Sequence, residues 1–118
     1  MGKKIAVYVK EPGKSPEIRC VPNTLKAFQK IVGGYIETVT VSSKSVVICN
    51  EEGRLLGLSP NCVFHSPYTT SFELFGTIVV AGYKDDNFCD VSEKVWSSDS
   101  TGRAYLLCGK GETWKTER

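Results

Sequence analysis

His65 is the one histidine in the chain, and it follows Cys62 by three residues. Histidine titrates near neutral pH and can activate a neighbouring thiol as a nucleophile. Spacing along the chain does not bring two side chains within hydrogen-bond reach, so a loop histidine and a packed thiol is the plainer reading. Among the acids, Glu51 and Glu52 fall in an Asn50-Glu51-Glu52-Gly53 turn, where solvated charge is expected. Asp85-Asp86-Asn87 could ligate a hard cation, but the twelve-residue calcium-loop pattern is missing and turn chemistry accounts for it. Gly109-Lys110-Gly111-Glu112 lacks the spacing of a phosphate loop, and Gly33-Gly34 is too short for a dinucleotide fingerprint.

Glu37 stands out because it lies in a strand-forming run beside Tyr35. From that position it can face a groove and pair with Lys14 or Arg54. Asn50 and Asn61 flank the segment that follows, and side-chain amides at strand ends bind polar ligands or satisfy their own turns. The candidate ligand- or partner-binding residues are therefore Lys14, Tyr35, Glu37, Asn50, Arg54 and Asn61. No catalytic set, metal site or cofactor is expected.

These residues need elements to hold them. Ile5-Ala6-Val7-Tyr8-Val9 and the alternating Glu17-Ile18-Arg19-Cys20-Val21 read as a hairpin interrupted by Pro12-Gly13. Asn23 or Thr24 caps the clearest helix, with Leu25, Phe28, Ile31 and Val32 on one face and Gly33 as its stop. Tyr35 to Val41 and Ser45 to Cys49 are strands, and the Asn50-to-Gly53 turn is expected to return a further strand over Arg54 to Leu58. Ser59 to Ser71 reads as an irregular loop, and Gly76 to Gly82 as a central strand. Asp90 and Glu93 have capping-box spacing, which predicts a short second helix near 91–97. Ala104 to Cys108 is a last strand, with a mobile tail expected from 109. The fold expected is α+β: a mainly antiparallel sheet with one principal helix, Thr24 to Val32, on one face.

At 118 residues, one domain is expected. The net charge of +2 gives no concentrated basic stripe of the kind a nucleic-acid binder carries. Five cysteines, an odd count with no close pair, fit reduced packed thiols rather than a disulfide framework. The apolar run after Lys3-Lys4 is too short for a signal-peptide core, and no segment reaches membrane-spanning length. The cytosol is the expected compartment.

Several motifs resemble a known family. Glu11-Pro12-Gly13-Lys14, Asn23-Thr24-Leu25, Ile31-Val32-Gly33-Gly34-Tyr35-Ile36-Glu37, Cys49-Asn50-Glu51-Glu52-Gly53, Leu56-Gly57-Leu58-Ser59-Pro60-Asn61 and Gly76-Thr77-Ile78-Val79-Val80 run in the order of the domain of unknown function 3846. That family is found in phages, plasmids and other bacterial mobile elements. The resemblance covers roughly residues 3 to 83 and implies a mobile-element setting, but it carries no catalytic residues. The function expected is a non-enzymatic accessory protein binding a host protein, counter-defence included, or a small nucleotide-like ligand. One alternative is a small enzyme with a polar site around Glu37, Asn50 and Asn61. The other is weak nucleic-acid binding through Lys3, Lys4, Lys10, Lys14 and Lys26. A homodimer is consistent with an exposed sheet edge.

Overall fold

A computed structural model describes the backbone of residues 3–40, 43–66, 69–92, 96–98, 104–108 and 112–114, and the side chains of 3–40, 43–62 and 73–92. Strand β1 (Lys4–Lys10) alternates, burying Ile5, Val7 and Val9. It pairs antiparallel with β2 (Glu17–Pro22). Helix α1 (Leu25–Val32) follows, and its first free amides are met as the sequence predicts: Thr24 Oγ1 accepts from the Ala27 N–H at 3.1 Å. Gly33 closes the helix at φ 84°, its N–H donating to the Gln29 carbonyl at 2.8 Å. Phe28 and Val32 anchor the helix to the sheet, whereas Leu25, expected on the buried face, is 58% exposed.

Strands β3 (Ile36–Thr40) and β4 (Ser45–Asn50) form the next antiparallel pair. Then come β5 (Pro60–Ser66), β6 (Thr69–Phe75), β7 (Ile78–Lys84) and β8 (Asn87–Cys89). The main sheet has the order β2-β1-β7-β4-β3, with β8 pairing β7 beyond the stretch that β1 pairs. Both β4 and β7 lie inside this order and are covered on both faces, which explains their continuous apolar runs. Val46, Ile48, Val79 and Ala81 pack with Phe28 and Val32 under the helix. Val47, Cys49, Ile78 and Val80 point the other way and pack with Cys62 and Leu74 of the β5–β6 hairpin. The layers are thus helix, sheet, hairpin. A further three-stranded sheet joins β9 (Trp96–Ser98), β10 (Ala104–Cys108) and β11 (Glu112–Trp114), with β10 against β5.

The α+β class with one principal helix stands, and three expectations are corrected. The second helix near 91–97 does not form among the described residues, and 93–95 lie outside them. Asp90 Oδ1 accepts from the Ala6 N–H at 2.9 Å instead of capping a turn, the Val91 N–H donates to the Ala6 carbonyl at 2.8 Å, and Trp96–Ser98 is a strand. The unpaired edge of β1 outcompetes a short helix for these groups. The strand expected over Arg54 to Leu58 is a run of turns, closed by Leu56 N–H to Glu52 carbonyl at 2.9 Å and Leu58 N–H to Gly53 carbonyl at 3.0 Å. The loop expected over Ser59 to Ser71 is mostly a hairpin, with Pro60 at the first position of β5 beside a register shift between Pro60 and Cys62; residues 67 and 68 lie outside the described residues. Of the tail expected to be mobile, Glu112–Trp114 pairs with β10, and 109–111 and 115–118 lie outside the described residues. Among the described residues, no helix is long and apolar enough to cross a membrane.

Candidate functional site

The turns over 51–57 do not return along β4. They fold across the end of β6 and leave an open cleft of about 510 Å³ between the β3–β4 edge and the hairpin. Val39, Cys49, Leu74 and Phe75 supply its apolar surface, and Glu37, Glu51, Glu73 and Arg54 its charge. The turn sits close to β6: a Cβ on Gly53 would lie 3.0 Å from the Phe75 carbonyl oxygen and 3.1 Å from its Cβ. Glycine there lets the turn approach β6 without displacing Phe75 by a few tenths of an ångström.

β-Pairing fixes which way Glu37 points. The Glu51 N–H donates to the Tyr35 carbonyl at 2.8 Å, and the register places Ile36 opposite Asn50 and Glu37 opposite Cys49. The hydrogen-bonded pairs in an antiparallel ladder alternate, so they are 35/51, 37/49 and 39/47. Glu37 and Val39 therefore share the cleft face with Cys49, while Ile36 packs on the helix side. Three carboxylates against one guanidinium leave the cleft negative. The Arg54 guanidinium stands 5.9 Å from the Phe75 ring centroid, a cation–π arrangement that holds it at the rim. Tyr35, Leu55 and Leu56 are 68%, 86% and 57% exposed on the adjoining surface.

Of the six residues singled out in the sequence, Glu37, Asn50 and Arg54 line this cleft. Asn50 is buried, and its amide is engaged within the fold: Nδ2 donates to the Val32 carbonyl at 3.1 Å and Oδ1 accepts from the Glu52 N–H at 2.7 Å. It ties the end of α1 to the turns. Asn61 is placed elsewhere and is equally engaged. Its Nδ2 donates to the Lys10 and Gly76 carbonyls, both at 2.8 Å, and its Oδ1 accepts from Lys10 Nζ at 2.8 Å. Lys14 pairs with Glu11 at 3.2 Å in an exposed cluster with Arg19. Sequence reading missed Glu73 because it falls between the stretch taken as irregular, which ends at Ser71, and the strand expected from Gly76. The alternation Glu73-Leu74-Phe75 on a strand was the signal available.

The two thiols near the cleft are buried and stay protonated near neutral pH. Burial, then the neighbouring Glu37 charge, pushes the Cys49 thiol up to about 11, and its Sγ–H donates to the Glu37 carbonyl at 3.6 Å. Burial likewise pushes Cys62 up to about 11, with Lys10 opposing the shift and Glu73 adding to it. The His65 side chain lies outside the described residues. Lys10 is only 5% exposed, and burial lowers its pKa while Cys62 acts in the opposite sense. It cannot serve as a phosphate contact on the surface. Among the described residues, no group of three or more histidine, cysteine, aspartate or glutamate side chains is arranged to hold a metal ion.

Two further hollows flank Tyr83, one of about 670 Å³ beside Lys44 and Asp90, the other of about 470 Å³ beside Asn23 and Phe88. Their polar groups serve the fold: Asp90 holds Ala6, Asn23 Nδ2 donates to the Phe88 carbonyl at 3.0 Å, and Asp86 accepts from the Tyr83 hydroxyl at 3.4 Å. Among the described residues, the Glu37, Glu51 and Glu73 side chains of the cleft carry no such hydrogen-bonding duty within the fold.

No curated protein and no solved structure matches the chain. The family model described as "Domain of unknown function (DUF3846)" matches residues 4–101, a span that contains β1 to β9 and the whole cleft. The chain belongs to the DUF3846 family.

Proposed function

We propose that this is a binding protein of a phage or other mobile element, and that its cleft docks a positively charged segment of a partner protein, with a host protein as the partner class. The observation that carries the reading is the excess of carboxylates in the cleft, Glu37, Glu51 and Glu73 against Arg54, beside exposed Leu55 and Leu56. A lysine or arginine side chain entering there gains from several carboxylates at once, and exposed leucines beside such a site suit a protein surface. A nucleotide-like ligand brings phosphate charge of the same sign as the cleft, so the protein partner is favoured between the two ligand classes. The enzyme reading around Glu37, Asn50 and Asn61 lacks an assembled site, because both amides are engaged in the fold and Asn61 lies outside the cleft.

An array of random dodecapeptides tests this, probed with the wild type and with the Glu37→Gln/Glu73→Gln variant. Both glutamates are exposed, so the substitutions leave the fold intact. Wild-type binders are expected to be rich in lysine and arginine. Their affinity falls about 5- to 30-fold in the variant, as the loss of two partly exposed ion pairs implies. Binders that are acidic, or indifferent to the two substitutions, contradict the proposal.

A further inference from the structure

We infer that the charged segment binds as an added antiparallel strand along β3; the inference rests on the cleft reading above and specifies how the segment lies. Strand β3 ends the sheet order, and among the described residues no strand lies on its outer side. Because 35/51, 37/49 and 39/47 are the bonded pairs with β4, the backbone N–H and C=O groups of Ile36, Thr38 and Thr40 point outward. An edge of this kind is a template for another chain unless it is blocked.

The two edges of the sheet differ in this respect. Strand β2 ends in Pro22, and its Arg19 is held by Glu17 at 2.7 Å and Glu11 at 3.2 Å, so long charged side chains crowd it. Strand β3, Ile36-Glu37-Thr38-Val39-Thr40, carries no proline, lysine or arginine. The open edge is also the one that borders the acidic cleft.

The geometry specifies the occupant. A strand added about 4.8 Å from β3 places every second side chain over the cleft, beside Glu37 and Val39. Those positions suit lysine or arginine, which reach Glu37, Glu51 and Glu73. The intervening residues lie opposite Ile36, Thr38 and Thr40 and exchange the backbone bonds. All pairings in this sheet are antiparallel, and antiparallel addition is the slightly more stable mode. A second copy of this chain fits the edge less well, because pairing β3 with itself brings two acidic clefts together.

The test uses a capped decapeptide of five Lys-Thr repeats and two N-methylated forms, one methylated at every threonine nitrogen, the other at every lysine nitrogen. All three carry the same charge. In the antiparallel arrangement the threonine N–H groups face β3 and the lysine N–H groups face solvent. Threonine methylation is expected to weaken binding about ten-fold or more, and lysine methylation about two-fold or less, in calorimetric titrations. Equal losses, no loss, or a loss confined to the lysine-methylated peptide overturns the antiparallel strand. If the methylated peptides bind like the parent while Glu37→Gln still weakens all three, strand addition fails and the acidic cleft stands. If the parent peptide does not bind at millimolar concentration, both fail.

Discussion

Replacing Gly82 by alanine destabilises the fold by about 3 kcal/mol, at the upper end of ordinary overpacking. Gly82 lies in β7 between Ser45 of β4 and Cys89 of β8, so paired backbone flanks it on both sides. A Cβ there would meet the Asp90 carbonyl oxygen, its carbonyl carbon at 2.9 Å and the Cys89 sulfur at 3.0 Å. Side-chain ends can swing away from such a contact, but backbone cannot. The chain crosses Gly82 at that point so that Asp90 and Val91 can bond Ala6 of β1. The cost therefore falls on the junction of β1, β7 and β8. Urea unfolding of Gly82→Ala checks the magnitude. Hydrogen exchange at Ala6 and Val91 checks the location, with faster exchange expected there than in β3 and β4. A loss under about 1 kcal/mol contradicts the close crossing.

Asn50→Asp costs about 3 kcal/mol at pH 7, because it removes a buried donor and puts a carboxylate against a carbonyl. The oxygen that accepts from Glu52 is retained, so the effect isolates the bond from Nδ2 to Val32. Burial, with Glu37 and Glu51 lining the same cleft, raises the pKa of the introduced carboxyl above its unfolded value of about 3.9. The folded variant then binds more protons than the unfolded chain. Its stability is highest below that unfolded pKa and is lost as pH rises through the folded one. The penalty relative to wild type shrinks as the pH is lowered from 7 to 5, by about 1.4 kcal/mol per unit while the folded pKa lies above the pH. Once protonated, the carboxyl can donate to the Val32 carbonyl as the amide did. Paired urea titrations at the two pH values measure this. An equal penalty at both contradicts a buried, amide-specific contact.

Where local chemistry decided the structure, the sequence was readable. Thr24 caps α1 and Gly33 stops it because each satisfies helix-end groups that no distant residue competes for. The turn at Asp85 and Asp86 also forms, with both residues at positive φ. Reading failed where a distant partner took the group. Asp90 carries a helix-cap signal, but Ala6 lies 84 positions away in sequence and claims its carboxylate. Asn50 carries a hairpin signal, yet its side chain bonds Glu52 and Val32 and turns the chain across β6 rather than back along β4. That diversion creates the cleft. Glu37 and Arg54 could be suspected from strand and turn position, whereas Glu73 joins them only through the β5–β6 hairpin packed against the sheet. The role expected of Asn61 followed from its type and neighbours, and the buried Lys10 that engages it was taken for a surface lysine.

The preference of the cleft for cations over anions is the claim on which the functional account depends. A two-dimensional amide spectrum of the labelled protein, titrated separately with the Lys-Thr decapeptide and with adenosine triphosphate, measures it directly. The account predicts that the peptide moves the Glu37, Glu51, Gly53, Arg54 and Phe75 amides in a salt-dependent way and that the nucleotide leaves them in place. Movement of that group by the nucleotide, with none by the peptide, would contradict it.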